Sequence, residues 1–118
     1  MRVLLATDRP DFAEALSLFL AESQIRVVDV VYDADRLLAQ AASVHPDVIL
    51  VDERLGAIVS TRAIADLKRR GDLTPVVLMS TSQESDPART AGAAAHATLG
   101  DPPQSLLTAL NDAVRATN

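Results

Sequence analysis

The sequence contains no cysteine, which excludes a disulfide scaffold, a cysteine-ligated zinc site and thiol catalysis. It also lacks an excess of positive charge, since the formal net charge is -5 and the pI is near 4.8. Binding to the phosphate backbone of nucleic acids needs a concentrated cationic patch, so we expect no direct nucleic-acid binding by this domain. Apolar runs such as 48–51 are far shorter than the roughly 20 residues that cross a bilayer, and we expect no membrane span.

Signatures of secretion and of catalysis are missing as well. The apolar N-terminal stretch is interrupted by Asp8, Arg9 and Asp11 before a secretory core could form, which predicts a cytoplasmic protein. There is no phosphate-binding glycine-rich loop, no nucleophile elbow and no metal motif with paired histidines. We therefore expect a protein that is not an enzyme.

What the sequence does contain is a regular alternation of short apolar runs with amphipathic, helix-like stretches. With 48% hydrophobic residues, 118 residues are enough for one core, so we expect one domain, 1–118. Continuous apolar strands that alternate with helices are typical of a parallel sheet covered on both faces. The predicted fold class is α/β, a doubly wound five-stranded parallel sheet. Its strands are predicted at 3–6, 27–31, 48–51, 76–79 and, weakly, 95–99, and helical spacing is clearest from Pro10 onward, at 34–43, 58–70 and 103–116.

Polar residues follow several of these strands. In a doubly wound sheet, ligands bind beyond the carboxyl ends of the strands, where Asp8, Asp52 and Ser80 are expected to converge. A pair of carboxylates suits Mg²⁺, and Asp52 could attack a phosphoryl donor while the Ser80 hydroxyl binds a phosphoryl oxygen. The sequence therefore suggests an aspartyl-phosphate site.

Each of these residues also has a plainer interpretation. Asp8 could cap the first helix, Asp52 could be a solvated loop residue, and Ser80 could be ordinary turn chemistry. The basic run 68–70 is interpreted as a solvated helix end that complements the helix dipole. These alternatives remain open from the sequence alone.

Five sequence blocks carry a family resemblance over essentially the whole chain. They are 2–12, 46–52, 75–81, 91–96 and 101–107, and the second, a proline-aspartate pair leading into a strand that ends in aspartate, is fairly specific. In these blocks the chain resembles a CheY-like response-regulator receiver domain of two-component signal transduction, with the flavodoxin-like fold. It is most similar to the receivers of LuxR-type transcription regulators.

The resemblance implies a role for several residues. Asp52 would be the phosphoacceptor, Asp8 a Mg²⁺ ligand together with Asp52, and Arg54 a residue that offers its backbone carbonyl to the metal. Ser80 and His96 would be the two switch residues.

Two departures from the family pattern make this an atypical receiver. Thr7 replaces the first of the family's two acidic residues, and the family's lysine falls on Leu99, or on Gly100 after a shift of one residue. Neither residue supplies the cation that would neutralise a phosphoryl group. We therefore expect weak or absent phosphorylation of Asp52 and weak or absent Mg²⁺ binding.

By the resemblance, the domain controls transcription through an attached or partner DNA-binding domain, and it could form the N-terminal part of a longer regulator. A sensor histidine kinase and a second copy of the chain are the other expected partners. The alternative is a phosphorylation-independent, small-molecule-sensing domain, with an apolar pocket between Asp8, Asp52 and Leu99.

Overall fold

A computed structural model describes residues 1–117 of the chain. Strands and helices alternate throughout. The strands are β1 (Arg2–Ala6), β2 (Arg26–Val31), β3 (Val48–Asp52), β4 (Val76–Ser80) and β5 (Ala95–Thr98). The helices are α1 (Pro10–Glu22), α2 (Ala34–Val44), α3 (Ser60–Arg69), α4 (Asp86–Ala91) and α5 (Pro103–Thr117).

The strands form one parallel sheet in the order β2-β1-β3-β4-β5, which confirms the predicted doubly wound fold. β3 and β4 are buried along their whole length, and β1 is buried after its first residue. Helices cover both faces of these strands, so their buried positions have no water-facing side and the apolar runs are continuous. The two resulting cores lie on opposite faces of the sheet, with Leu4 and Ile49 on one and Leu5 and Leu50 on the other.

Local chemistry explains where the helices begin. α1 begins at Pro10, whose missing N–H costs nothing at the first helical position. α3 begins at Ser60, two residues later than predicted, and the Ser60 hydroxyl donates a hydrogen bond to the backbone carbonyl of Asp52. This bond fixes the start of α3 against the end of β3.

Lys68, in the last turn of α3, lies against the end of α4. Gly92 ends α4 with a φ of 109°, and a Cβ placed there would lie 2.8 Å from Cγ of Lys68. The Lys68 ammonium donates a hydrogen bond to the carbonyl of Thr74 at 2.8 Å. Burial lowers the pKa of Lys68, and the nearby charge of Asp72 opposes that shift. The basic run is thus only partly solvated, since Lys68 is half-buried while Arg69 and Arg70 are exposed.

The topology brings the carboxyl ends of β1, β3 and β4 together. Ala6 pairs with Val51, and Asp52 pairs with Met79, so the residues after these strands share one edge of the sheet. Successive strands are added on one side of β1 for β2 and on the other side for β3, β4 and β5. This edge therefore lies at the topological switch point between β1 and β3, where ligands of such folds bind. None of the helices within residues 1–117 is long and apolar enough to span a membrane.

Candidate phosphoacceptor site

Asp52 is the last residue of β3, and its side chain is fully buried. Three groups contact one of its carboxylate oxygens, Oδ2. The Thr7 hydroxyl donates to Oδ2 at 2.6 Å, Nε of Arg9 donates to it at 2.9 Å, and Nη2 of Arg9 lies 2.8 Å away as an ion-pair contact. The interpretation of Asp52 as a solvated loop residue is therefore wrong.

Arg9 lies between β1 and α1 and turns its guanidinium back over the start of the helix. The guanidinium carbon is 4.3 Å from the centre of the Phe12 ring, a cation-π geometry, and the side chain is only 30% exposed. Stacking on Phe12 restricts the arginine rotamers and aims the guanidinium at Asp52. Arg9 was not predicted to belong to the site. The sequence did place it directly after Asp8 and three residues before Phe12, the spacing that allows the observed stacking.

Thr7 is fully buried and contributes a hydroxyl donor where the family pattern has a carboxylate. Besides donating to Asp52, Thr7 Oγ1 accepts a hydrogen bond from the backbone N–H of Arg9 at 3.2 Å. Thr7 therefore links Asp52 to the segment that carries Arg9. The sequence predicted the loss of a charge at this position but not the gain of a donor.

Asp8 points toward the loop after β3. Its Oδ2 accepts a hydrogen bond from the Gly56 backbone N–H at 3.1 Å, and its Oδ1 lies 3.7 Å from Nε of Arg54. Asp8 does not cap α1, whose N-cap residue is Arg9 and whose first turn receives no side-chain cap, so that alternative is wrong. The backbone carbonyl of Arg54, the expected metal ligand, accepts the backbone N–H of Asp8 at 2.9 Å.

Ser80 and His96 form a pair across β4 and β5. The Ser80 hydroxyl lies 2.7 Å from Nε2 of His96, and 3.3 Å from the backbone carbonyl of Ser82. Within residues 1–117 the hydroxyl bonded to the Asp52 carboxylate belongs to Thr7, while Ser80 is bonded to neither Asp8 nor Asp52, so the phosphoryl-binding role of Ser80 stays a prediction. The two residues assigned as switches do contact each other directly.

Glu53 connects the ends of β3 and β4. Its carboxylate accepts a hydrogen bond from the Thr81 backbone N–H at 3.1 Å and a longer one from the Thr81 hydroxyl at 3.4 Å. The Thr81 backbone N–H, a donor at the edge of the site, is thus already bonded to the Glu53 carboxylate. Glu53 was not predicted to belong to the site.

Leu99 lines an apolar cleft of about 270 Å³ between α1, β5 and α5, together with Phe12, Phe19 and Leu106. Asp8 and Asp52 are not among the residues that line it. The cleft that Leu99 lines is therefore not the pocket expected between Asp8, Asp52 and Leu99, because neither carboxylate contributes to its lining.

The comparisons with known proteins agree with this geometry. The family model described as "Response regulator receiver domain" matches residues 3–110. The chain belongs to the response regulator receiver domain family. Receiver domains are signalling modules of two-component systems that pair with histidine kinases and with effector domains such as LuxR-type DNA-binding domains, and they are generally not enzymes.

Solved structures of receiver domains superpose closely on the chain. The signal receiver domain of NarL from Mycobacterium tuberculosis is 25% identical, with a TM-score of 0.87, over 97% of this chain and 95% of that one. A LuxR-family response regulator from Aurantimonas is 20% identical, with a TM-score of 0.90, over 98% of this chain and 85% of that one. The chemotaxis regulator CheY4 of Vibrio cholerae is 20% identical, with a TM-score of 0.81, over 93% and 95%. Among curated protein sequences, none matches the chain.

Receiver domains typically bind Mg²⁺ at the phosphorylation site, but the residues present here do not fit that ion. Asp8 and Asp52 each keep one oxygen, Oδ1, without a hydrogen-bond partner within residues 1–117. Each carboxylate also faces a guanidinium, that of Arg54 or that of Arg9, so the two negative charges are already balanced. In the described part of the chain, no group of three or more His, Asp or Glu residues is arranged to hold a metal.

Proposed function

We propose that this domain is an atypical receiver, phosphorylated weakly or not at all on Asp52, that acts in the cytoplasm and controls transcription through an attached or partner DNA-binding domain. One observation carries the proposal: the buried carboxylate that the family would phosphorylate is held in an ion pair with Arg9.

The ion pair opposes phosphorylation because a carboxylate must offer an oxygen lone pair to the donor. Oδ2 of Asp52 is covered by Thr7 and Arg9, and the side chain has no exposure to solvent. Only Oδ1 remains without a partner among the described residues. The residue at the position of the family's lysine is Leu99, whose apolar side chain cannot neutralise charge on a group transferred to Oδ1.

The role in transcription is supported by the similarity to receiver domains of LuxR-family regulators, one of which is the Aurantimonas protein. The domain's own net charge of -5 argues against direct DNA contact by this domain, which supports contact through another domain. In this proposal the receiver passes a change in its conformation or its self-association to the DNA-binding domain. A homodimer is the simplest assembly for such a change.

The test is the intact mass of the protein after incubation with acetyl phosphate and Mg²⁺. We expect the wild type and Asp52→Ala to show the same absence of a phosphoryl-sized gain, while a receiver with a complete acidic pair and lysine gains it in the same experiment. A substantial gain in the wild type that disappears in Asp52→Ala would contradict the proposal.

A further inference from the structure

We propose that the guanidinium of Arg9 is a built-in replacement for the divalent cation of this site, so that the domain holds Asp52 without metal and excludes Mg²⁺ until Arg9 moves away. The inference deepens the proposed function and rests on it in assigning Asp52 to the phosphoacceptor position.

The position of the guanidinium is the first argument. Arg9 comes from the end of β1 and reaches the end of β3, which are the same two strand ends that supply Asp8 and Asp52. Nε donates a charge-assisted hydrogen bond to Oδ2 of Asp52 at 2.9 Å, and Nη2 lies 2.8 Å from the same oxygen as an ion-pair contact. The guanidinium thus takes one of the two Asp52 oxygens that a cation bound between the aspartates could use.

The arrangement that holds the guanidinium is the second argument. Phe12 lies under it at 4.3 Å, and the Arg9 backbone N–H is tied to Thr7 Oγ1 at 3.2 Å. Arg9 is therefore fixed from both its backbone and its side chain, unlike a surface arginine that pairs by chance. Such a preformed pair loses little side-chain entropy when it forms.

Charge balance is the third argument. Asp8 and Asp52 carry two negative charges, and Arg54 and Arg9 supply two positive ones at ion-pair distance. Mg²⁺ gives up hydration water reluctantly and is usually held by one or two carboxylates, and a carboxylate already paired with a guanidinium attracts it less strongly. The unpartnered oxygens, Oδ1 of Asp8 and Oδ1 of Asp52, remain as latent ligands that become available to a metal only when the arginine charge is removed.

The experiment is a Mg²⁺ titration without any phosphoryl donor, followed by backbone amide NMR shifts of residues 7–9 and 52–56 and by the melting temperature. The wild type is compared with Arg9→Met, which keeps a long apolar stem over Phe12 but has no charge. We expect Mg²⁺ to bind the variant at least about tenfold more tightly and to raise its melting temperature, because binding to the folded state stabilises it. The wild type should respond no more than Arg36→Met, the same substitution at an exposed position of α2.

A second variant covers the case in which Arg9→Met does not fold. Arg9→Gln keeps N–H donors within reach of Asp52 and removes only the charge, so it should fold and gain the same Mg²⁺ response. Equal Mg²⁺ affinity in the wild type and in the folded variants would overturn the inference, as would tight Mg²⁺ binding by the wild type. Either of these results would overturn only the inference about Mg²⁺ binding. The proposed function is overturned by a different result, a phosphoryl mass gain in the wild type.

Discussion

Replacing Arg9 with methionine is expected to lower the free energy of unfolding by about 3 kcal/mol, the lower end of the range for breaking a buried ion pair. Asp52 is fully buried, so loss of the guanidinium leaves a carboxylate whose remaining donor is the Thr7 hydroxyl. The lower end applies because the Arg9 side chain is 30% exposed, so water can partly replace the guanidinium as a partner of Asp52. Urea denaturation of both proteins at neutral pH and without metal measures the difference.

The matched test of this cause is the double variant Arg9→Met with Asp52→Asn. Removing the carboxylate charge as well should restore most of the lost stability, since the penalty arises from an unpaired buried charge and not from missing contacts of the arginine stem. Arg36→Met should change stability by less than about 0.5 kcal/mol, as expected of an exposed substitution. Strictly additive effects of the two site substitutions would show that Arg9 and Asp52 do not stabilise each other.

Restoring the family's charges should restore phosphorylation. We expect the triple variant Thr7→Asp, Arg9→Gln and Leu99→Lys to be phosphorylated by acetyl phosphate, in the presence of Mg²⁺, at least about 100-fold faster than the wild type. That factor is the usual effect of one preorganised charge-stabilising group. The first two substitutions open a metal site with three carboxylates, and the lysine supplies a cation for the phosphoryl oxygens.

The register supports the choice of Leu99 for the lysine. Asp52 pairs with Met79 and Met79 with Ala97, and Leu99 lies two residues further on. Side chains two residues apart along an extended chain face the same side, so a lysine at Leu99 is on the Asp52 side of the sheet. Intact mass over time measures the rate, and the same triple variant with Asp52→Asn should gain nothing. A folded triple variant that binds Mg²⁺ and still gains no mass would contradict this account of the missing charges.

The fold could be predicted from the sequence because its strongest signal is local. The runs 48–51 and 76–79 are continuous and apolar since both faces of the central strands are covered, and the strands they predict are observed to within one residue. The ends of elements were less predictable, because they depend on distant groups. At the start of α3, for example, the Ser60 hydroxyl is bonded to a carbonyl eight residues earlier in the chain, a contact that local spacing does not reveal.

The candidate site was predictable only in part. Asp8 and Asp52 could be placed at one edge of the sheet, since strand ends converge there whatever their side chains do. The partner of Asp52 could not be predicted, because an arginine stem with several rotatable bonds can reach many positions and its choice here depends on Phe12. The Thr7 hydroxyl was missed for a similar reason: its replacement of an acidic residue was apparent as a lost charge, while the new hydrogen bond depends on the spacing of β1 and β3.

The most direct test of the central claim, that a guanidinium holds the buried Asp52, is NMR of the arginine side-chain N–H groups in the metal-free wild type. We predict one Nε–H signal that exchanges slowly with water, is assigned to Arg9 by its loss in Arg9→Gln, and shifts and exchanges rapidly in Asp52→Asn. Fast solvent exchange of every arginine Nε–H in the wild type, or a slow Arg9 signal that Asp52→Asn leaves unchanged, would contradict the claim.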